Sequence, residues 1–392
     1  MTKDNYTIEM KALCRALDQE ADALPLIQRL LDEKHISVAD LKTLLRDDHN
    51  LVDAGVVHSL VRSGVLTKED LVADCHVDPG FVGMLGSMLT SMDDAGGNIG
   101  LIDGGNTEIY LWGIPSSGKT CALGALLCSL RTDKDVVTRM VPQSTSQGYG
   151  YMTQLEQVFP VNHAVCKLPG RTPTKTNFAI GLELEDSNGR VHPVTLIDMA
   201  GELFCYLHWM AVGKVGDYED HRKALETFLR ILVDNPTENR KIHLFVVEYG
   251  REGKKYKDTL QDKYLTTGLT YLKNCGVLQN HTDGVYVLVT KTDKMHQALA
   301  PGETPEEHVT RFVEGNYPNF IGLLRRYCRE FEICGGSLPP VFPFDIGDVC
   351  FQNFCRLNTD TAKVVAREII LGESKGFSKN PLVRKLTQIF DN

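Results

Sequence analysis

Apolar positions along the chain follow two regimes that meet near residue 100. From residue 105 onward, short apolar runs alternate with longer stretches of helical periodicity. The runs 107–112, 177–185, 191–198, 241–249, 284–290 and 339–344 read as strands, buried on both faces where no polar residue interrupts them. Between them, helices are predicted over 118–131, about 219–233, about 258–274, about 305–333 and about 359–371. This order implies an α/β domain with a mostly parallel sheet and helices on both faces, three layers in all. The segment Glu183–Arg190 carries Asp186-Ser187-Asn188-Gly189 and reads as a hairpin between the second and third strands. Residues 382–390 read as a final amphipathic helix docked on the domain.

Residues 1–92 follow helical spacing throughout and define a small all-α domain. Two helix starts look alike: Ser37 precedes Asp40 by three residues, and Thr67 precedes Asp70 by three, each close to a capping box. They lie 30 residues apart, and Leu51 matches Phe81 at the same offset, a weak internal repeat of paired short helices. Residues 93–106 are rich in Gly and Asp and read as a linker, leaving 107–392 as the α/β domain.

The chemistry concentrates where predicted strands end. Gly113-Ile114-Pro115-Ser116-Ser117-Gly118-Lys119-Thr120 fits G-x-x-x-x-G-K-[ST] between a strand and an apolar helix. A strand, a glycine loop and a helix N-terminus make a nest of backbone N–H groups aimed at a phosphate chain. The positions facing that chain are Gly113, Ser116, Ser117, Gly118, Lys119, Thr120 and Cys121. Lys119 reaches the β- and γ-phosphates and Thr120 offers its hydroxyl to Mg²⁺. The run 194–199 ends a strand with Asp198, placed to hold Mg²⁺, and Gly201 three residues on offers its N–H to a γ-phosphate. The run 285–289 leads into Thr290-Lys291-Thr292-Asp293. A carboxylate at Asp293 accepts from both N1–H and the exocyclic amine of guanine, a donor pair that adenine lacks, while the Lys291 stem packs along the ring.

These three segments, G-I-P-S-S-G-K-T, D-M-A-G-E and T-K-T-D, resemble the first, third and fourth guanine-nucleotide motifs of the Ras-like (TRAFAC-class) P-loop GTPases. The resemblance covers roughly residues 105–375. The long spacing is similar to that of enlarged bacterial GTPase domains found beside conflict-system and adaptor modules. It implies a P-loop GTPase fold, guanine nucleotide (GTP/GDP) and Mg²⁺ as ligands, and a fifth loop at Asp345-Ile346-Gly347 whose backbone meets the guanine O6. The family's second motif, a threonine that senses Mg²⁺ and the γ-phosphate, falls in the Gly-, Ser- and Pro-rich interval 132–177. There Thr172, Thr174 and Thr176 compete, with Thr174 favoured and Thr176 second. Arg171 stands three residues before Thr174, the spacing of a built-in arginine finger; a single Arg in a polar loop is more commonly just solvated. Where the family often has Gln after the glycine, this chain has Glu202. Its carboxylate either orients the attacking water or acts as a base, or it simply favours a helix N-terminus.

Composition narrows the classes. A net charge of −9 over 392 residues argues against a general nucleic-acid or anionic-membrane binder. No run approaches the length of a membrane span, and the first residues carry no apolar signal core. Eleven cysteines without a C-x-x-C pair suit reduced thiols in a cytoplasmic protein. Cys121, Cys128, Cys205, Cys350 and Cys355 read as core, and Cys75-His76 has no second pair with metal spacing. Arg251–Lys257 reads as a solvated basic loop near the ligand edge. The expectation is therefore a GTP-hydrolysing switch whose N-terminal helices act as an adaptor or oligomerisation module. Its rivals are a nucleotide-locked scaffold with little turnover and an ATPase of the same architecture.

Overall fold

The computed structural model describes residues 6–18, 23–86, 99–159, 165–170, 172, 176–213, 219–278, 282–295, 298–333 and 339–372. In chain order the helices α1 (Ile8–Asp18), α2 (Ala23–Asp32), α3 (Val38–Asp47), α4 (Ala54–Arg62), α5 (Lys68–Ala73) and α6 (Pro79–Gly83) come first. Then follow β1 (Thr107–Trp112), α7 (Lys119–Thr132), β2 (Arg139–Pro142), α8 (Tyr149–Val158), β3 (Cys166–Lys167), β4 (Asn177–Glu185) and β5 (Val191–Met199). Next are α9 (Gly201–Ala211), α10 (Glu219–Asp234), β6 (Arg240–Glu248), the hairpin β7 (Lys255–Tyr256) and β8 (Thr259–Leu260), α11 (Gln261–Asn274) and β9 (Thr282–Thr290). The chain continues through α12 (Pro305–Asn316), α13 (Pro318–Glu330), β10 (Val341–Phe344), β11 (Gly347–Cys350), β12 (Phe354–Leu357) and α14 (Asp360–Val365), which runs into a π turn over Ala366–Ile370.

Two compact units emerge, residues 1–90 with 158–170 and 347–357, and residues 91–157 with 171–346 and 358–392. In the second unit, seven strands among the described residues form one sheet in the order β10-β9-β6-β1-β5-β4-β2. β10, β9, β6, β1 and β5 run parallel, and β4 and β2 are antiparallel at one edge. The expected hairpin joins β4 to β5, closed by Asp186 N–H on the Arg190 carbonyl and Gly189 N–H on the Asp186 carbonyl. Alternate residues of each strand bury on opposite faces. Tyr110, Trp112, Phe245, Val285 and Val287 pack in one core with residues of α9, α10, α11 and α13. Ile109, Leu111, Leu196, Leu244 and Leu288 are buried on the other side, where α7 meets β5. A parallel sheet needs this two-sided cover. The class is thus α/β with a mostly parallel sheet.

Several expected boundaries shift for local reasons. The single helix expected over 305–333 is two, because Pro318 lacks an N–H and pushes Tyr317 out of helical geometry (φ −125°, ψ 49°). Its first half is closed by a capping box of Thr304 and Glu307. The linker reading of 93–106 meets a packed segment over 99–106, the rest lying outside the described residues. Ile99 and Ile102 are buried in the core, and Ile102 N–H donates to Asn235 Oδ1 (3.1 Å). The Gly-, Ser- and Pro-rich interval 132–177, to which the sequence pattern assigns no element, holds β2, α8 and β3. The final helix expected over 382–390 lies outside the described residues.

The first unit confirms both capping boxes. Ser37 and Thr67 accept from Asp40 and Asp70 N–H, and each aspartate accepts in return from the cap's own N–H. Lys42 bridges the two repeats by bonding Asp70 (2.6 Å) and Asp74 (2.9 Å). Its core is not made by the helices alone. The small sheet β11-β12-β3 belongs to it, and Cys350, Phe351 and Phe354 are buried among Leu41, Leu45, Val57 and Leu60. Phe351 N–H donates to the His49 carbonyl (3.1 Å) and Asn353 Oδ1 accepts from Ala54 N–H (2.9 Å). Among the described residues no helix is long and apolar enough to cross a membrane.

Candidate nucleotide site

In the second unit β1 lies between β5 and β6; from β1 the chain runs to the β2 edge and returns through β4 to β5, and from β5 it crosses to β6 on the other side of β1. The crevice beyond the carboxyl ends of such strands is where open α/β sheets bind ligands. Four connections meet there: those after β1, β5, β6 and β9. The loop after β1 turns through Ser116 (φ 61°) and Gly118 (φ 89°), and α7 starts at Lys119. Gly118 is required twice over, by its left-handed backbone and by the Thr290 side chain, which a Cβ would meet at 3.2 Å. Thr290 in turn donates to the Ser117 carbonyl (2.6 Å), so the end of β9 braces the loop. Ser117 is buried and Cys121 half-buried in the first turn of α7.

Lys119 is only 6% exposed, yet among the described residues its ammonium bonds to carbonyls alone, those of Gly113 (2.8 Å) and Ile114 (3.1 Å). Burial lowers its pKa, with the charges of Asp198, Cys205 and Glu202 opposing. Asp198, the penultimate residue of β5, is 1% exposed. Its Oδ2 accepts from the Tyr151 hydroxyl (2.8 Å), and its Oδ1 is buried without a partner. Burial raises this carboxyl, opposed first by Lys119 and then by Tyr151. Thr120 Oγ1 lies 2.8 Å from Thr172 Oγ1. Burial first and Asp198 second push the Tyr151 phenol well above its ordinary value, while the nearby Thr120 and Thr172 hydroxyls act the other way.

Gly201 opens α9 pressed against the loop: a Cβ there would stand 2.3 Å from Pro115 N. Glu202 is half-buried in the first turn of that helix. Beyond β9, Lys291 adopts φ 60° and Asp293 sits in a 3-10 turn over Thr292–Met295. Burial raises the Asp293 carboxyl; Lys294 opposes this, and Asp345 reinforces it from the expected fifth loop. The Asp345 carbonyl accepts from Thr361 Oγ1 (2.8 Å), and the Ile346 carbonyl from Asn358 N–H (2.9 Å), which fixes that loop. Lys291 extends its ammonium to Glu248 Oε1 (2.6 Å).

Of the predicted residues, Lys119 and Asp198 act on each other, Thr120 follows Lys119 in α7, Gly201 packs against the glycine loop, and Asp345 acts on Asp293. Arg171 and Thr174 lie outside the described residues. Of the other two threonines, Thr172 meets Thr120, whereas Thr176 is buried and its carbonyl accepts from Ala200 N–H (3.1 Å). Three neighbours carried no motif signal. Tyr151 comes from α8, and Glu248 ends β6. Arg251, expected in a solvated loop, is 9% exposed and donates to Glu248 Oε2 (2.9 Å) and the Pro115 carbonyl (3.3 Å). Burial alone would raise the Glu248 carboxyl; Lys291 and Arg251 overcome it and hold it below the ordinary value.

Chemically, the cluster offers an under-partnered buried cation beside hard oxygen donors that include an under-partnered carboxylate. Buried charges are normally paired or metal-bound. Mg²⁺ takes oxygen ligands and keeps substrate phosphates and waters in its shell, so Thr120, Asp198 and Thr172 suit it. Among the described residues no group of three or more His, Cys, Asp or Glu side chains forms a metal cluster; the donors here are mainly hydroxyls. No protein-family model matches the chain, and no curated protein matches it significantly.

Proposed function

We propose that the second unit binds guanine nucleotide with Mg²⁺ and hydrolyses GTP, and that residues 1–92 couple the nucleotide state to a protein partner. One observation carries the reading: Lys119 and Asp198 are both buried at the strand ends, and among the described residues each bonds only neutral groups. A polyphosphate with its cation supplies the missing charge to both at once.

On this reading the amides of the Gly113–Thr120 loop hold the phosphates. Lys119 exchanges two carbonyls for the β- and γ-phosphate oxygens and stabilises the charge that grows as the bond to the γ-phosphoryl group breaks. Thr120, Asp198 and Thr172 would hold Mg²⁺, which supplies neutralisation of the phosphate oxygens when bound. Gly201 N–H points to the γ-phosphate and Glu202 orients the attacking water. Asp293 accepts from the two donors of the guanine edge. A second reading, a scaffold that binds without turnover, is favoured by Glu202, because a carboxylate beside a polyphosphate adds repulsion where the family often has a neutral amide.

The test is Mg²⁺-dependent binding and phosphate release with GTP beside ATP, for the parent and for Asp293→Asn. Selective GTP binding that the substitution abolishes, with release by the parent, is the expected result. Binding without release transfers the conclusion to the scaffold. Equal use of ATP overturns the base assignment.

A further inference from the structure

Tyr151 stands where no motif predicted a functional group. It is 3% exposed on α8, and its ring stacks on Phe178 of β4 at 3.8 Å between centroids and 7° between planes. Its hydroxyl donates to Asp198 Oδ2 (2.8 Å), and the other carboxylate oxygen of Asp198 is buried with no partner among the described residues. Asp198 is one of the three side chains assigned above to Mg²⁺, beside Thr120 and Thr172, whose hydroxyls meet at 2.8 Å.

We propose that Tyr151 is a positioning residue of the metal site, its hydroxyl orienting the Asp198 carboxylate beside Thr120 and Thr172; this rests on the nucleotide reading given above. By donating to Oδ2 it turns the unpartnered Oδ1 of Asp198 inward. The spacing agrees. Ligand oxygens on adjacent corners of a Mg²⁺ octahedron lie about 3.0 Å apart, given bonds of about 2.1 Å; Thr120 and Thr172 hydroxyls are 2.8 Å apart. The stacked, buried ring makes Tyr151 a fixed support, not a group poised to swing away. Outer partners of metal ligands typically contribute about 10- to 100-fold in metal affinity.

The experiment titrates Mg²⁺ against a fluorescent mant-GDP probe bound to the full chain. Tyr151→Phe keeps the ring and removes the hydroxyl. Its half-saturating Mg²⁺ concentration should rise about tenfold or more, while mant-GDP affinity in EDTA stays within about twofold, a split that general destabilisation does not produce. Phe178→Leu, which loosens the ring without touching the hydroxyl, should shift the Mg²⁺ requirement in the same direction by less, and serves if Tyr151→Phe does not fold. An unchanged requirement in a folded variant overturns the proposal, and a lowered one does so too, since it would mean the hydroxyl competes with the cation. If the parent binds no mant-GDP, the nucleotide reading fails and this proposal with it; parent binding with Mg²⁺-insensitive variants sinks the proposal alone.

Discussion

Gly201→Ala is the most direct probe of how the segment after β5 is coupled to the glycine loop. The added methyl would lie 2.3 Å from Pro115 N, 2.6 Å from the Ile114 carbonyl carbon and 2.6 Å from Pro115 Cα, where ordinary contact begins at 3.4 Å. The shortfall at the nitrogen is 3.4 − 2.3 = 1.1 Å, and all three neighbours are backbone, so no side chain can rotate out of the way. Either the start of α9 or the loop must move by about that distance. The loop resists, because Lys119 ties the Gly113 and Ile114 carbonyls, Thr290 ties Ser117, and Arg251 reaches Pro115. Overpacking of this kind costs about 1–3 kcal/mol. A displacement near 1 Å in a positioned site costs on the order of 100-fold in rate.

We therefore expect Gly201→Ala to unfold in urea with a stability lowered by about 1–3 kcal/mol and to lose GTP turnover by roughly 100-fold. mant-GDP binding should weaken less, since the γ-phosphate contact is absent from the diphosphate. Turnover within about twofold of the parent would refute the reasoning, for it would show that neither element moves where the phosphate sits.

Two further outcomes follow from the packing. His243 is fully buried against Tyr110 and Trp112, accepts from Trp112 Nε1 (2.9 Å), and is pushed down to about 3, chiefly by burial and then by Lys241. Because its folded pKa lies below the unfolded value, the unfolded chain binds the proton first. Stability then falls as pH drops from about 6.5 towards 3, by about 1.4 kcal/mol per unit from this group. His243→Gln should flatten that part of a urea-midpoint profile between pH 7 and 5; an unchanged slope would refute the assignment. In the first unit, Phe354→Ala should cost about 3–5 kcal/mol, read as faster amide exchange in α3 and α4, although the residue lies some 300 positions away in sequence. Unaltered protection in those helices would show that the β11-β12 turn is not part of their core.

What was legible in the sequence and what was not divides along a physical line. β1, β5, β6 and β9 were legible because each is an apolar run buried on both faces, and the residues at their ends carry local patterns in which type and spacing suffice. Ser37 and Thr67 were legible because a capping box is complete within four residues. Tyr151 was not, since its hydroxyl meets Asp198 across 47 positions only after α8 folds onto β4. Arg251 looked like one cation of a solvated run; its burial depends on Glu248 and the Pro115 carbonyl, which tertiary packing brings to it. The same holds for Phe351 and Phe354, whose apolar character was plain but whose core was that of a different unit.

The site also explains a choice that stability alone would not favour. Lys119 and Asp198 are buried close enough for each to shift the other's pKa, yet neither is matched by a direct ion pair. Opposite charges buried in this way usually cost more than apolar side chains of similar volume. A ligand that brings its own anion and cation satisfies both groups, so binding and folding are linked: about 2.7 kcal/mol of added stability at a ligand concentration 100 times its dissociation constant. Nucleotide without Mg²⁺ satisfies Lys119 and leaves Asp198 facing added negative charge, whereas Mg²⁺ without nucleotide does the reverse. The two should therefore stabilise the unit more together than the sum of each alone. On the proposed function, that coupling between two side chains 79 positions apart in sequence would make the strand-end crevice selective for the chelate over either of its parts.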